Sequence, residues 1–200
     1  MAVDKQNFGT VDVVDEKYKP KGVFHRPEKN TPIRRKDGKL VGITNPRDIT
    51  HMHSYGGEAL YFESLGQGIL YGTRCDNADC ESKGSIFMPF RIACPDCLEK
   101  ATPVDMTDVA NKTATVHSFI ITERTGAFNT LDIPIRFINV EFEGVCTILM
   151  SYMPVGQPEI GMRVMPIFKT TDPDFLVTDL AFVPEGTPEN KLPKGFSFKK

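Results

Sequence analysis

Four of the five cysteines in this 200-residue chain fall between positions 75 and 97, and their spacing constrains the fold more than any other feature. The pattern is Cys75-x4-Cys80, thirteen intervening residues, then Cys94-x2-Cys97. Two short turns that each donate two sulfurs meet the tetrahedral demand of a closed, structural zinc site. In a reducing compartment this grouping points to metal rather than disulfides. The expected cofactor is therefore a structural Zn2+ held by Cys75, Cys80, Cys94 and Cys97, with iron in a rubredoxin-like role as the alternative. Four thiolates leave no open position for a catalytic metal, and no HxE signature lies nearby. The first turn is two residues longer than usual. Asp76, Asn77 and Asp79 within it are suited to local hydrogen bonds and are not needed as ligands.

The rest of the chain reads as short β elements. Pro (15) and Gly (16) favour strands and turns over long helices. Residues 1–53 read as an extended N-terminal arm with scattered prolines, a KDGK turn at Lys36–Lys39 and short strands near Val11–Val14 and Leu40–Ile43. The arm is too poor in apolar residues to form its own core. Residues 54–105 read as a helix plus the ribbon. Ser54 would cap a helix running to Leu65, with Ala59, Leu60, Phe62 and Leu65 at helical spacing and Gly66 and Gly68 ending it. Ile69–Arg74 would run as a strand into Cys75, and Ile86–Phe90 would link the two cysteine turns. Residues 106–185 show five β-like runs: Thr113–Thr122, Ile135–Phe142, Val145–Tyr152, Met162–Lys169 and Leu176–Val183. That count, with no helical pattern between the runs, predicts a five-stranded OB-fold barrel. Residues 186–200 read as an irregular tail. The fold class is thus mainly β.

Charge narrows the function. The net charge is −2, but residues 1–50 carry 11 Lys+Arg against 7 Asp+Glu, whereas the remaining 150 carry 13 against 19. The part holding the motif is acidic, which disfavours electrostatic binding to nucleic acid. No apolar run reaches the roughly 20 residues needed to span a bilayer, and no signal peptide is visible, so the expected location is the cytoplasm. Cys146 reads as a buried strand residue, and His51 and His53 as an exposed turn. His117 lies mid-strand. No carboxylate pair, phosphate-cradling glycine motif or nucleophile constellation stands out. Arg91, before CPDC, and Arg124, after the first barrel strand, are the cations best placed to meet an anionic ligand.

The order helix, strand, four-Cys ribbon and barrel resembles the DUF35 family. ALYFESLGQGILYGTRC, FMPFRIACPDC, ATVHSFIITERT, IPIRFINVEFEGVCTILMSYM and IGMRVMPIFK carry the resemblance, over about residues 55–185. The chain departs from the family pattern in its Cys75-x4-Cys80 turn and its longer arm. The resemblance implies a rubredoxin-like ribbon ahead of an OB-fold. It also implies a non-catalytic accessory subunit of a thiolase-superfamily enzyme acting on acyl-CoA thioesters. The thiolase-fold partner would carry the chemistry, and this chain would stabilise it and help shape the acyl-CoA site. By their position in the sequence, Arg91 and Arg124 are the candidate contacts for the CoA phosphates. One such system is the thiolase of anaerobic toluene breakdown, which acts on a benzylsuccinyl-derived thioester in aromatic compound degradation. Two alternatives stay open at this point: a barrel that binds acyl-CoA itself, and a single-stranded nucleic-acid module using Phe119, Phe137 and Phe142 as stacking groups with Arg124, Arg136 and Arg163 beside them.

Overall fold

The computed structural model describes residues 10–14, 17–21, 31–44, 57–124, 126, 128 and 130–198. By internal contacts the chain divides into residues Met1–His53 and Ser54–Lys200. His51, His53 and Ser54 lie outside the described residues.

The first unit carries two antiparallel hairpins. β1 (Thr10–Val14) pairs with β2 (Lys17–Lys21), with Val13 opposite Tyr18. β3 (Pro32–Arg34) pairs with β4 (Leu40–Ile43) around the KDGK turn. That turn needs Gly38 at φ 83°, a conformation open to a residue without Cβ. Ile33, Leu40, Val41 and Ile43 are all exposed, so β3–β4 builds no apolar core of its own.

The second unit begins with α1 (Gly57–Gly66). Its buried stripe is Tyr61, Ser64 and Leu65. The expected stripe included Ala59 and Leu60, which are exposed. The register shifts because Tyr61 turns inward to stack on Phe90, with ring centroids 6.1 Å apart. The helix ends in a Schellman motif: the Ile69 amide donates to Ser64 O (2.9 Å) and the Gly68 amide to Leu65 O (3.0 Å), with Gly68 at φ 74°.

β5 (Tyr71–Arg74) is the centre of a three-stranded sheet, flanked by β6 (Ile86–Phe87) and β7 (Thr102–Asp105). A short helix the sequence pattern did not reveal, α2 (Thr107–Thr113), follows. Thr107 fixes its start: the hydroxyl accepts from the Leu70 amide (2.9 Å), and Asp105 accepts from the Thr107 amide (2.9 Å). At the other end, Arg163 donates to the carbonyls of Ala114 (2.8 Å) and Asn111 (3.2 Å), meeting the negative end of the helix with a cation.

The barrel comprises β8 (Thr115–Thr122), β9 (Ile135–Glu141), β10 (Leu149–Tyr152), β11 (Val164–Lys169) and β12 (Leu180–Pro184). Ladders join β8 to β9, β9 to β10 and β11 to β12. Backbone bonds from Val116 to Met162, Gly161 to Val116 and Val164 to Ala114 bring the start of β8 against the start of β11. On the other side the Ser151 hydroxyl donates to Leu180 O (3.0 Å), and the Tyr152 hydroxyl to Thr178 O (3.0 Å). The cyclic order β8-β9-β10-β12-β11 is that of a partly open five-stranded OB barrel. Four strands lie within their expected runs, and β12 starts four residues later than its run and ends one residue past it, at Pro184. The tail is more ordered than its composition suggested: β13 (Phe196–Ser197) pairs with β11, placing Phe196 opposite Lys169.

One core serves ribbon, helices and barrel. Leu65, Leu70, Met88, Ala110, Val116, Val140, Phe168 and Phe182 belong to it, all under 2% exposed. A second cluster gathers Ile135, Ile167, Ala181 and Val183. Buried Asp179 organises the loop before β12. Its carboxylate accepts from the amides of Phe175 (2.7 Å), Asp174 (3.2 Å) and Leu176 (3.4 Å). Burial raises its pKa in spite of those donors. Removing the carboxylate orphans three amides, so Asp179→Ala is expected to destabilise the chain by about 2 kcal/mol or more. Equilibrium urea unfolding measures it.

Candidate metal centre

Local backbone turns bring the four cysteines together. Cys75 leaves the end of β5, and its amide and carbonyl bond Ser85 O (3.2 Å) and the Gly84 amide (2.7 Å). The two extra residues of the first turn are absorbed in a local turn. The Asp79 amide donates to Asn77 Oδ1 (3.0 Å) and the Cys80 amide to Asn77 O (3.3 Å). Asp76 pairs with Arg74 at 2.6 Å. The long spacing therefore changes the turn and keeps the sulfur position; Asp76 and Asn77 bond locally through their side chains as the sequence suggested, and Asp79 through its backbone amide. The second knuckle closes with Leu98 N to Cys94 O (3.0 Å) and Cys94 N to Glu99 O (2.9 Å). Ser82 Oγ bonds the Asp96 carboxylate and ties one knuckle to the other.

All four Sγ atoms lie within 4.8 Å of one another. Cys75 and Cys97 stand 3.8 Å apart and Cys80 and Cys94 3.9 Å. A tetrahedral ion with bonds of about 2.3 Å to sulfur has S···S edges of about 3.8 Å, so the residues fit such an ion. Cys75 and Cys94 are buried; Cys80 and Cys97 are half-buried.

The backbone is already arranged for thiolates. Burial pushes the Cys75 thiol up to about 12, with the Asn77 amide opposing. The Ser82 amide lowers Cys80, but burial and the neighbouring sulfurs outweigh it and the net direction is up. The Cys97 amide, against burial and with help from the Asp96 amide, brings Cys94 down to about 7. A bound cation would take all four as thiolates and supply the charge that burial otherwise penalises. With every position filled by sulfur, its contribution would be structural.

The other singled-out residues lie elsewhere. Arg91 is exposed in the loop before the second knuckle, and its amide donates to Thr73 Oγ1 (3.3 Å). Arg124 is exposed just past β8, its amide bonded to Thr122 Oγ1 (3.0 Å). Neither side chain has an ion pair among the described residues. His117 faces outward and meets Glu141 at 3.0 Å. Cys146 is exposed, not buried in a strand. Its segment leaves the barrel ladder for the ribbon: the Cys146 amide donates to Ile86 O (2.9 Å), and β10 starts only at Leu149. Thr147 completes that seam. Its hydroxyl accepts from the Met88 amide (2.7 Å) and donates to Met88 O (2.6 Å). Sequence reasoning missed it, because a single threonine 59 positions from its partner leaves no local signal.

No family model matches this chain, and no curated protein matches it. Among solved structures it is similar to a protein of unknown function from the DUF35 family of Sulfolobus solfataricus. The two are 23% identical with a TM-score of 0.46, over 66% of this chain and 90% of the other. Among the described residues, no helix is long and apolar enough to cross a membrane.

Purified chain is expected to carry about one tetrahedral metal ion, and Cys97→Ala to lose it together with the thermal stability it provides. Elemental analysis alongside thermal unfolding reads both. Thr147→Val should retain the metal yet cost about 1–3 kcal/mol, by leaving a partly buried amide and carbonyl unpaired; urea unfolding with metal quantitation separates the two effects.

Proposed function

We propose that the chain is a zinc-binding, non-catalytic accessory subunit of a thiolase-superfamily enzyme acting on acyl-CoA thioesters, working in the cytoplasm. The reading starts from the resemblance of residues 55–185 to DUF35 proteins. The observation that carries it further is an exposed apolar strand on the barrel. Phe119, Ile120 and Ile121 in β8 are 41%, 62% and 46% exposed. β8 also ends its sheet, and past Val116 its outer edge has no backbone partner among the described residues. Such a surface favours association with another protein. In this reading β8 docks on the thiolase-fold subunit, which brings the catalytic residues. The metal is zinc and holds the ribbon in shape. Arg91 and Arg124, both exposed, remain free to meet the CoA phosphates at the interface. A benzylsuccinyl-type thioester, and with it aromatic compound degradation, is the specialised substrate this reading allows.

The nucleic-acid alternative loses its stacking platform. Phe142 is buried and packs near Phe182, with ring centroids 6.2 Å apart, and Phe137 packs edge-on against Phe128 at 5.1 Å. Arg163 is engaged at the end of α2. Only Phe119 of the three aromatics remains exposed.

Co-expression with the thiolase-fold subunit should yield a stable hetero-oligomer whose activity falls when this chain is omitted. Ile120→Glu should weaken that complex by at least about tenfold while leaving metal content intact, since it places a charge in an apolar contact. Size-exclusion chromatography and a thiolysis assay read the result. Full activity and an unchanged oligomeric state without this chain would refute the proposal.

A further inference from the structure

A cavity of about 540 Å³ opens between β9, the end of β10, β11 and the C-terminal tail. That volume suits a small organic molecule. Its charged lining is Arg136, Lys169, Lys191 and Lys194 against Asp132 and Asp174. Four cations against two carboxylates make a cationic site in a region, residues 51–200, that carries an excess of acids. Lys169 and Asp174 satisfy each other at 2.5 Å. Lys191 and Lys194 are exposed and have no ion pair among the described residues.

Arg136 gives the cavity its specific character. It lies in β9, and its Nε is buried with no hydrogen-bond partner. A buried donor on a charged group is costly to leave unpaired, and an anion toward which the guanidinium turns would remove that cost. Leu131, Ile133, Val155 and Phe196 give the wall an apolar stretch beside Thr130 and Thr178, and Ile133 is 56% exposed. Donors with surplus positive charge beside an apolar wall suit a ligand with one anionic end and one hydrocarbon end.

We infer that this cavity is a binding site for an amphipathic organic anion, its carboxylate or comparable head held by Arg136, Lys191 and Lys194 and its apolar body laid against Ile133, Val155 and Phe196. The site is built entirely from the barrel and tail, includes neither Arg91 nor Arg124, and stands independently of the thiolase partner proposed above.

The test titrates the full metal-loaded chain with the fluorescent sulfonate 8-anilinonaphthalene-1-sulfonate, then displaces it with octanoate, octanamide or inorganic phosphate. Octanoate is expected to displace the dye at about tenfold lower concentration than octanamide, which lacks the charge, or phosphate, which lacks the apolar body. The preference should disappear in Arg136→Gln and in the surface variant Lys191→Gln/Lys194→Gln. The surface variant decides the matter if Arg136→Gln does not fold. Equal displacement by octanoate and octanamide overturns the anionic head. Equal displacement by octanoate and phosphate overturns the apolar body. Dye binding and preference unchanged in the folded variants, or no dye binding at all, overturns the site.

Discussion

The sulfur cluster is the constraint on which the ribbon depends. Between Cys75 and Cys97 the buried cluster around the metal site consists of Cys75, Phe87 and Cys94. These three and Met88, which joins the common core, are the buried residues of the segment, and four cannot offset the conformational entropy of ordering more than twenty, at roughly 1–2 kcal/mol each for the backbone alone. Chelation of an ion by the four cysteines would close both turns at once and substitute for the missing core. The amides of Asn77, Ser82, Asp96 and Cys97 already point at sulfur, so a cation would complete charge-assisted bonds that the backbone has prepared.

A ribbon stabilised in this way still has to be fixed to the barrel. Its connection is partly apolar, through Met88 in the common core, and partly polar, through Thr147 and the Cys146 amide. The polar half explains why residues 143–148 abandon strand geometry. Once that segment satisfies Ile86 and Met88, it cannot also continue the ladder with β9. Cys146 is exposed as a consequence of that choice.

Legibility in the sequence followed the range of the signal. The cysteine spacing, the glycines that end α1 and the alternation in β9 are local patterns, and the elements they announce are present. α2 was invisible because its sequence, TDVANKT, shows no apolar stripe; tertiary bonds from Leu70 and Arg163 hold it in place. The α1 stripe runs through Tyr61, Ser64 and Leu65 instead of Ala59, Leu60 and Phe62, because the Tyr61 ring stacks on Phe90, a contact that helical spacing alone does not announce. Cys146 was misplaced because its partner, Ile86, is sixty positions away. Arg136 read as one face of an alternating strand, and nothing local marked its Nε as buried and unpaired.

The barrel therefore presents two surfaces of different chemistry. The β8 edge carries exposed apolar side chains and, past Val116, backbone groups with no backbone partner among the described residues; water or an added strand can pair those groups, and an apolar surface can cover the side chains. The cavity beside Arg136 is concave and cationic, and an extended protein edge would leave its buried donor unpaired. In the readings proposed above, one surface would meet a macromolecule and the other a small anion. Because β8 and β9 are adjacent strands, with Ile121 opposite Arg136 in register, the two occupants would be separated by a single strand ladder. A displacement of β8 on docking would thus reach the backbone that carries Arg136, giving the protein contact a direct physical route to the anion site.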